Sequence, residues 1–152
     1  MKNQVTIRKA EREEIPTLVD FNQEMARETE ALELDREILA QGVEGIFARP
    51  ERGFYLVAEI EGEVVGSLMV TTEWSDWRNG DFWWVQSVYV APAFRRRGVF
   101  AALYDKTRRM ARETPQVCGC RLYVEKDNTT AQAVYRRRSF QETPYRLFED
   151  QF

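Results

Sequence analysis

Three β-rich runs follow one another with turn residues between them. This arrangement constrains the fold more than any other feature of the chain. Residues 54–60 and 63–72 flank Glu61-Gly62, and Asn79-Gly80 leads into residues 82–90. A short polar pair containing glycine supplies the left-handed backbone that a tight hairpin needs. Two hairpins in succession make an antiparallel meander, which a purely parallel, doubly wound sheet does not contain. On the N-terminal side, residues 5–8 alternate as a short strand. Ile15, Leu18, Val19, Asn22 and Met25 then fall at helical spacing within residues 11–27, with one polar interruption. Asp35 caps a second expected helix bearing Leu39, Val43, Ile46 and Phe47.

After the meander, Pro92 ends the third run. Residues 99–113 read as a helix with Val99, Leu103 and Met110 inward, stopped by Pro115. Residues 121–125 read as a strand. Asn128 caps a helix carrying Ala131, Val134 and Tyr135, and residues 145–149 read as a last strand. The expected order is β-α-α-β-β-β-α-β-α-β, an α/β (α+β) arrangement around a mixed, mostly antiparallel sheet. No repeat or linker interrupts it, so residues 1–152 read as one domain.

Composition narrows the chemistry. The 152 residues include no histidine, which removes Ser-His-Asp, Cys-His and His-zinc mechanisms. The longest apolar run is 99–104, far short of the roughly 18 residues a membrane span needs. No apolar signal segment is visible at the N-terminus, and the two cysteines, Cys118 and Cys120, read as reduced thiols. A cytoplasmic protein without metal or membrane partner is therefore expected. The net charge of −3 hides an asymmetry: residues 1–90 carry a net −9, and residues 91–152 a net +6. The first part favours a cationic partner and the second an anionic one. A pI near 5.2 argues against nucleic acid.

The anionic partner has a candidate location. From Gln86 to Ala101 a strand ends, Arg95-Arg96-Arg97-Gly98 follows, and a helix begins. Free amides and the positive dipole end make a helix start an anion site, and glycine lets backbone approach a phosphate. The spacing of neither a nucleotide-hydrolysing P-loop nor a dinucleotide fingerprint is present.

This segment resembles motif A of the GCN5-related N-acetyltransferases (GNAT). There a strand ends in Val-x-Pro, and a turn follows with Arg or Gln, then Gly three residues on, then Gly or Ala two further. Arg95 and Gly98 match, and Phe100 departs from the small third residue. Asn128, Ala131, Tyr135 and Phe140 match the family's motif B, with Ser139 in place of a glycine. The resemblance covers essentially the whole chain. It implies a sheet of six to seven strands flanked by four helices, and acetyl-CoA as cofactor.

By that resemblance, pantetheine lies along Val88, Tyr89 and Val90 in a V-shaped opening beside strand 121–125. Pyrophosphate sits on the amides of Arg96, Arg97, Gly98, Val99, Phe100 and Ala101, with the guanidinium groups of Arg95, Arg96 and Arg97 around it. Asn128 bonds the pantetheine arm near Ala131, and Arg137 or Arg138 reaches the adenosine phosphate, with Arg138 carried forward. The Val88 N–H stabilises the oxyanion, and Tyr135 returns a proton to the thiolate. Spermidine/spermine-type relatives, which the chain faintly resembles in its 145–148 tail, carry glutamate where this chain has Gln86. Glutamine accepts no proton at neutral pH. The base is thus water or another carboxylate, with Glu73, Asp76 and Glu125 as candidates, or the amine arrives neutral. Gln86 is left to hold a water or a substrate polar group.

The segment 73–80 combines aromatic faces with acids, and the first helices add Glu24, Glu28, Glu30 and Glu33. Together with the −9 charge, these suggest a small cationic amine as acceptor, contacted by Glu28, Glu73, Trp77, Gln86 and Glu125. The competing reading is a non-catalytic acyl-CoA-binding regulatory domain of the same fold. The last strand is a candidate pairing edge for a homodimer.

Overall fold

A computed structural model describes residues 4–152. The chain divides into two compact units, one reaching Leu122 and the other Tyr123–Phe152.

The first unit is built on a five-stranded sheet. Its strands are β1 (Thr6–Lys9), β2 (Gly53–Ile60), β3 (Glu63–Ser75), β4 (Gly80–Val90) and β5 (Val117–Leu122), lying side by side in that order. The first three pairings are antiparallel and β4–β5 is parallel. Glu61 and Gly62 take φ 50° and 80°, as the expected two-residue hairpin requires. The β3–β4 turn is tighter than the sequence suggests. Strand pairing continues through Trp74↔Asp81 and Ser75↔Gly80, so Glu73 and Trp74 lie on a strand and not in a loop.

Three helices cover the sheet. On one face, Leu18 and Val19 of α1 (Ile15–Glu30) and Val43 and Ile46 of α2 (Arg36–Ala48) pack on Tyr55 and Val57. On the other, Val99, Leu103 and Ala111 of α3 (Val99–Glu113) pack on Leu56, Leu68, Val70, Trp83 and Val85. These large apolar side chains are essentially removed from water, at roughly 1.5–3 kcal/mol each. Asp35 caps α2 by accepting from the amides of Glu37 and Ile38. Buried Asn22, the polar interruption in α1, donates to Leu18 O. Gln23, also buried, bonds both the N–H and the C=O of Leu34 at 3.0 and 3.1 Å and so clasps the α1–α2 connection.

The second unit contains α4 (Thr129–Arg137), capped by Asn128, whose side chain accepts from the Ala131 amide. Ser139 takes φ 74° just after it, the left-handed conformation for which the family motif carries glycine.

Two expectations need correction. The sheet has five strands, not six to seven, because residues 145–149 form no strand and the order ends on α4. A β-prone tail becomes a strand only where a ladder accepts its backbone, and none does here. The fifth strand also lies earlier than residues 121–125, at Val117–Leu122. Its Cys-Gly-Cys core lacks the β-branched pattern that sequence reading relies on.

Candidate acyl-donor site

The site begins with a defect in β4. Its register against β3 runs from Met69↔Gln86 to Ser67↔Tyr89, so β4 advances three residues while β3 advances two. The extra residue is a β-bulge, and Ser87 there takes φ 51°. The ladder to β5 stops at Val85↔Leu122, immediately before the bulge. Beyond it, Tyr89 and Val90 pair with β3 alone, through Ser67↔Tyr89 and Gly66↔Val90. The sheet is thus split between β4 and β5, and one edge of β4 offers its backbone to an extended ligand.

The chain leaves β4 through Ala91, whose amide donates to Val65 O, and a turn at Pro92–Phe94. Arg96 (φ 63°) and Gly98 (φ 77°) are both left-handed. Gly98 begins α3 without a side chain to cap it, so the first-turn amides of the helix are directed off its end. Alternating left-handed residues at a helix start form an anion-binding concavity. A Cβ at Gly98 would touch nothing within 4 Å, so the glycine serves backbone geometry and close approach, not packing. Phe100 does not cross this turn: its ring lies along α3 on Tyr104, 6.3 Å between centroids. Val99 points inward and is 2% exposed. The donor set fits a phosphate-bearing cofactor.

The arginines of the turn differ in their partners. Arg95 Nε donates to Val90 O at 2.8 Å and its Nη2 to Glu28 at 2.7 Å, with the guanidinium 5.6 Å over the Tyr89 ring. Arg97 lies over Phe94. Glu28 therefore sits against a cation. Burial first, then the charge of Glu28, pushes the Tyr89 phenol above its ordinary value.

On the face turned to α1 and α2, a polar strip runs beside the split. Gln86 Nε2 donates to Thr71 Oγ1. Glu73 accepts from Arg121 at 2.7 Å, and the Arg121 guanidinium lies 3.6 Å over the Phe82 ring. The sequence reading missed Arg121, whose setting in Cys-Gly-Cys-Arg-Leu carries no motif. Trp77 is 87% exposed in the β3–β4 turn.

In the second unit, Tyr135 meets Phe140 edge-on at 5.8 Å, and burial holds its phenol above the usual value. Glu125 accepts from the Asp127 amide, and Asn128 caps α4. Arg138 donates its amide to Tyr135 O as the helix ends.

A strand bulge that opens a sheet beside a basic, glycine-started helix suits an extended ligand that carries phosphate. Residues 12–140 match the model of the Acetyltransferase (GNAT) family, and the chain belongs to that family. Among solved structures, a "possible acetyltransferase from Clostridium difficile 630" is 38% identical over 97% of each chain, with a TM-score of 0.92. A "predicted acetyltransferase with acetyl-CoA from Clostridium acetobutylicum" is 19% identical over 97% of this chain and 96% of that one, with a TM-score of 0.79. AAC(6')-Iy in complex with a bisubstrate analog is 17% identical over 98% and 99%, with a TM-score of 0.75. The last two likenesses show the fold alone. No curated protein sequence matches the chain. The family uses acetyl-CoA. Among the described residues, no helix is long and apolar enough to cross a membrane.

Proposed function

We propose that the protein is an acetyl-CoA-dependent N-acetyltransferase that acetylates a small, cationic primary amine by direct attack in a ternary complex. Residues 1–152 act as one acetyltransferase domain in the cytoplasm. The observation that carries this reading is the bulge at Ser87, which ends the β4–β5 ladder just before the basic left-handed turn into α3. Acetyl-CoA supplies the acetyl group as a thioester. Val88, Tyr89 and Val90 bind the pantetheine arm as an added strand, and the turn from Arg96 to Ala101 holds the pyrophosphate. Arg97 adds charge there, while Arg95 fixes the turn through Val90 and Glu28. Asn128 and Arg138 bind the pantetheine arm and the adenosine phosphate.

In the transfer, the amine nitrogen attacks the acyl carbon, a C–N bond forms and the C–S bond breaks. The Val88 N–H donates to the acyl oxygen as it gains charge. Tyr135 gives its phenolic proton to the departing sulfur and is re-protonated by way of solvent, so that of the two protons the ammonium sheds one replaces the phenol's and one is released. The raised Tyr135 phenol keeps that proton available throughout neutral pH. Gln86 has its Nε2 bonded to Thr71, so it presents its carbonyl oxygen to the amine.

The test is titration of acetyl-CoA by calorimetry, followed by a panel of polyamines, aminoglycosides and amino acids read as thiol release. The reading expects tight acetyl-CoA binding and turnover of cationic amines that Tyr135→Phe slows. Turnover only of neutral or acidic amines would remove the cationic acceptor. Binding without turnover would establish the non-catalytic acyl-CoA-binding reading, which Gln86 favours.

A further inference from the structure

We infer that Arg121 and Glu73 form a reader for the head group of a free diamino acid, and that the acetylated nitrogen is its side-chain amine. The inference rests on the N-acetyltransferase reading above and names its acceptor. Leu122 and Cys120 pack into the core on the α3 face, so Arg121 between them faces the opposite side. Its register partner is Trp84, one residue before the point where β4 and β5 part. Gln86, paired with Met69, lies on the same face one residue past that point. α3 packs across both β4 and β5, whereas on the opposite face the Arg121 and Glu73 side chains stay 28% and 48% exposed beside the split. An acceptor therefore approaches the split across Arg121, Glu73 and Gln86.

The chemistry of this pair is unusual for a surface ion pair. The Arg121 guanidinium is fixed by stacking 3.6 Å over Phe82, and its side chain is 28% exposed. Among the described residues its one side-chain hydrogen bond runs from Nη1 to Glu73 Oε1. A fork of donors remains for a carboxylate, and Glu73 Oε2 remains for an ammonium. A donor fork beside an acceptor is the complement of an α-carboxylate beside an α-ammonium. A plain diamine would meet Glu73 but leave the Arg121 fork without an anion and place a second cation beside it.

Spacing then selects the nitrogen. The pair stands over Phe82, opposite Glu73, and the Gln86 carboxamide is held on Thr71, two residues from Glu73 along the same face of β3. A strand rises about 3.4 Å per residue, so the head-group pair and the amine-binding carboxamide are roughly 7 Å apart. An α-amine held next to its own carboxylate cannot cover that distance, whereas an amine on a chain of several methylenes can. The side-chain nitrogen forms the C–N bond as the C–S bond breaks, the thiolate takes one proton, and solvent takes the other.

The experiment compares L-lysine, L-lysinamide, 1,5-diaminopentane and an internal lysine in a short peptide, with product regiochemistry by mass fragmentation. The expected result is a kcat/KM for L-lysine at least tenfold above the other three, with acetyl on the side-chain nitrogen. Arg121→Gln raises the KM for L-lysine tenfold or more, with a smaller change in kcat and an unchanged acetyl-CoA dissociation constant. Arg121→Lys restores part of the loss, and thermal unfolding of both variants shows that they fold. Equal or better use of 1,5-diaminopentane or the peptide, acetylation of the α-nitrogen, or a loss confined to kcat overturns the inference. Acetyl-CoA binding with no amine acetylated would instead overturn the transferase reading beneath it.

Discussion

Gly98 offers the sharpest test of the cofactor site, because two substitutions separate its backbone role from its electrostatic one. The residue sits at φ 77° and ψ 14°, and a Cβ there would meet nothing within 4 Å. Gly98→Ala therefore adds no clash, only the left-handed penalty of about 1–2 kcal/mol. For a chain of this size that lowers Tm by on the order of 4 °C. Gly98→Asp carries no larger a backbone penalty, since aspartate tolerates the left-handed region and caps helices, and it adds a negative charge where the pyrophosphate is placed. At about 5 Å and an effective dielectric of 20, each pair of unit charges repels by roughly 3 kcal/mol. Solvent at an exposed turn screens at least half of that. A residual of about 1.5 kcal/mol is roughly a tenfold loss of affinity per phosphate charge met. Calorimetric titration of acetyl-CoA into both variants, with thermal unfolding alongside, reads the two terms apart. The variants should unfold within a few degrees of each other, and Gly98→Asp should bind at least tenfold more weakly than Gly98→Ala. Equal affinity would show that the pyrophosphate does not lie on this turn.

Other expectations follow from single contacts. Gly53→Ala should abolish soluble folded protein or lower Tm by more than 10 °C, because its Cβ would lie 1.8 Å from Val70 O at φ 150°; a near-native melting curve would contradict the packing. Ser67→Ala should stabilise the protein by about 1 kcal/mol in urea unfolding, since Ser67 Oγ is buried without a hydrogen-bond partner among the described residues; a comparable destabilisation would refute this. Arg8 holds Glu14 through two hydrogen bonds of 2.8 and 2.7 Å, chiefly by that bonding lowering the carboxyl pKa below its ordinary value. This contribution is present above about pH 4.5 and is lost as pH falls through the depressed value. Glu14→Gln should therefore destabilise at pH 7 and converge with the parent in strong acid. Tyr135→Phe should cut kcat by about 10–100-fold with little change in KM. In the parent, activity should not fall on the alkaline side until above pH 10, because burial raises the phenol.

Much of the fold could be read from the chain because its signals are local. Glu61-Gly62 fixes a hairpin by backbone preference, Asp35 and Asn128 cap by side-chain hydrogen bonds, and the spacing of Val99 and Leu103 marks the buried stripe of α3. The failures are all features set by partners distant in sequence. Residues 82–90 are rich in β-formers, and no glycine marks Ser87 as a bulge. The bulge shows only in the register of β4 against β3, a partner distant from Ser87 in sequence. The tail at 145–149 has strand-like residues, but no edge pairs with it. Val117–Leu122 looked weak because its pairing with β4, not its own propensity, makes it a strand.

The candidate site divides along the same line. Motif residues such as Arg95, Gly98 and Asn128 were visible because they act near where they stand in the chain. Their partners were not. Glu28 and Glu73 read as free acids awaiting a cation, yet each lies against an arginine, Arg95 and Arg121 respectively. The pairing changes the electrostatic argument. The acidic character of residues 1–90 does not collect at the split as an unbalanced charge that would take any cation. It arrives there as fixed pairs, in which each carboxylate has one oxygen engaged and one available. Such pairs attract a lone ammonium weakly, but they orient a molecule that carries both signs. Under the acceptor reading proposed above, a long-range charge asymmetry is converted into short-range geometric selection, and the conversion depends on β5 carrying Arg121 one residue before the strands separate.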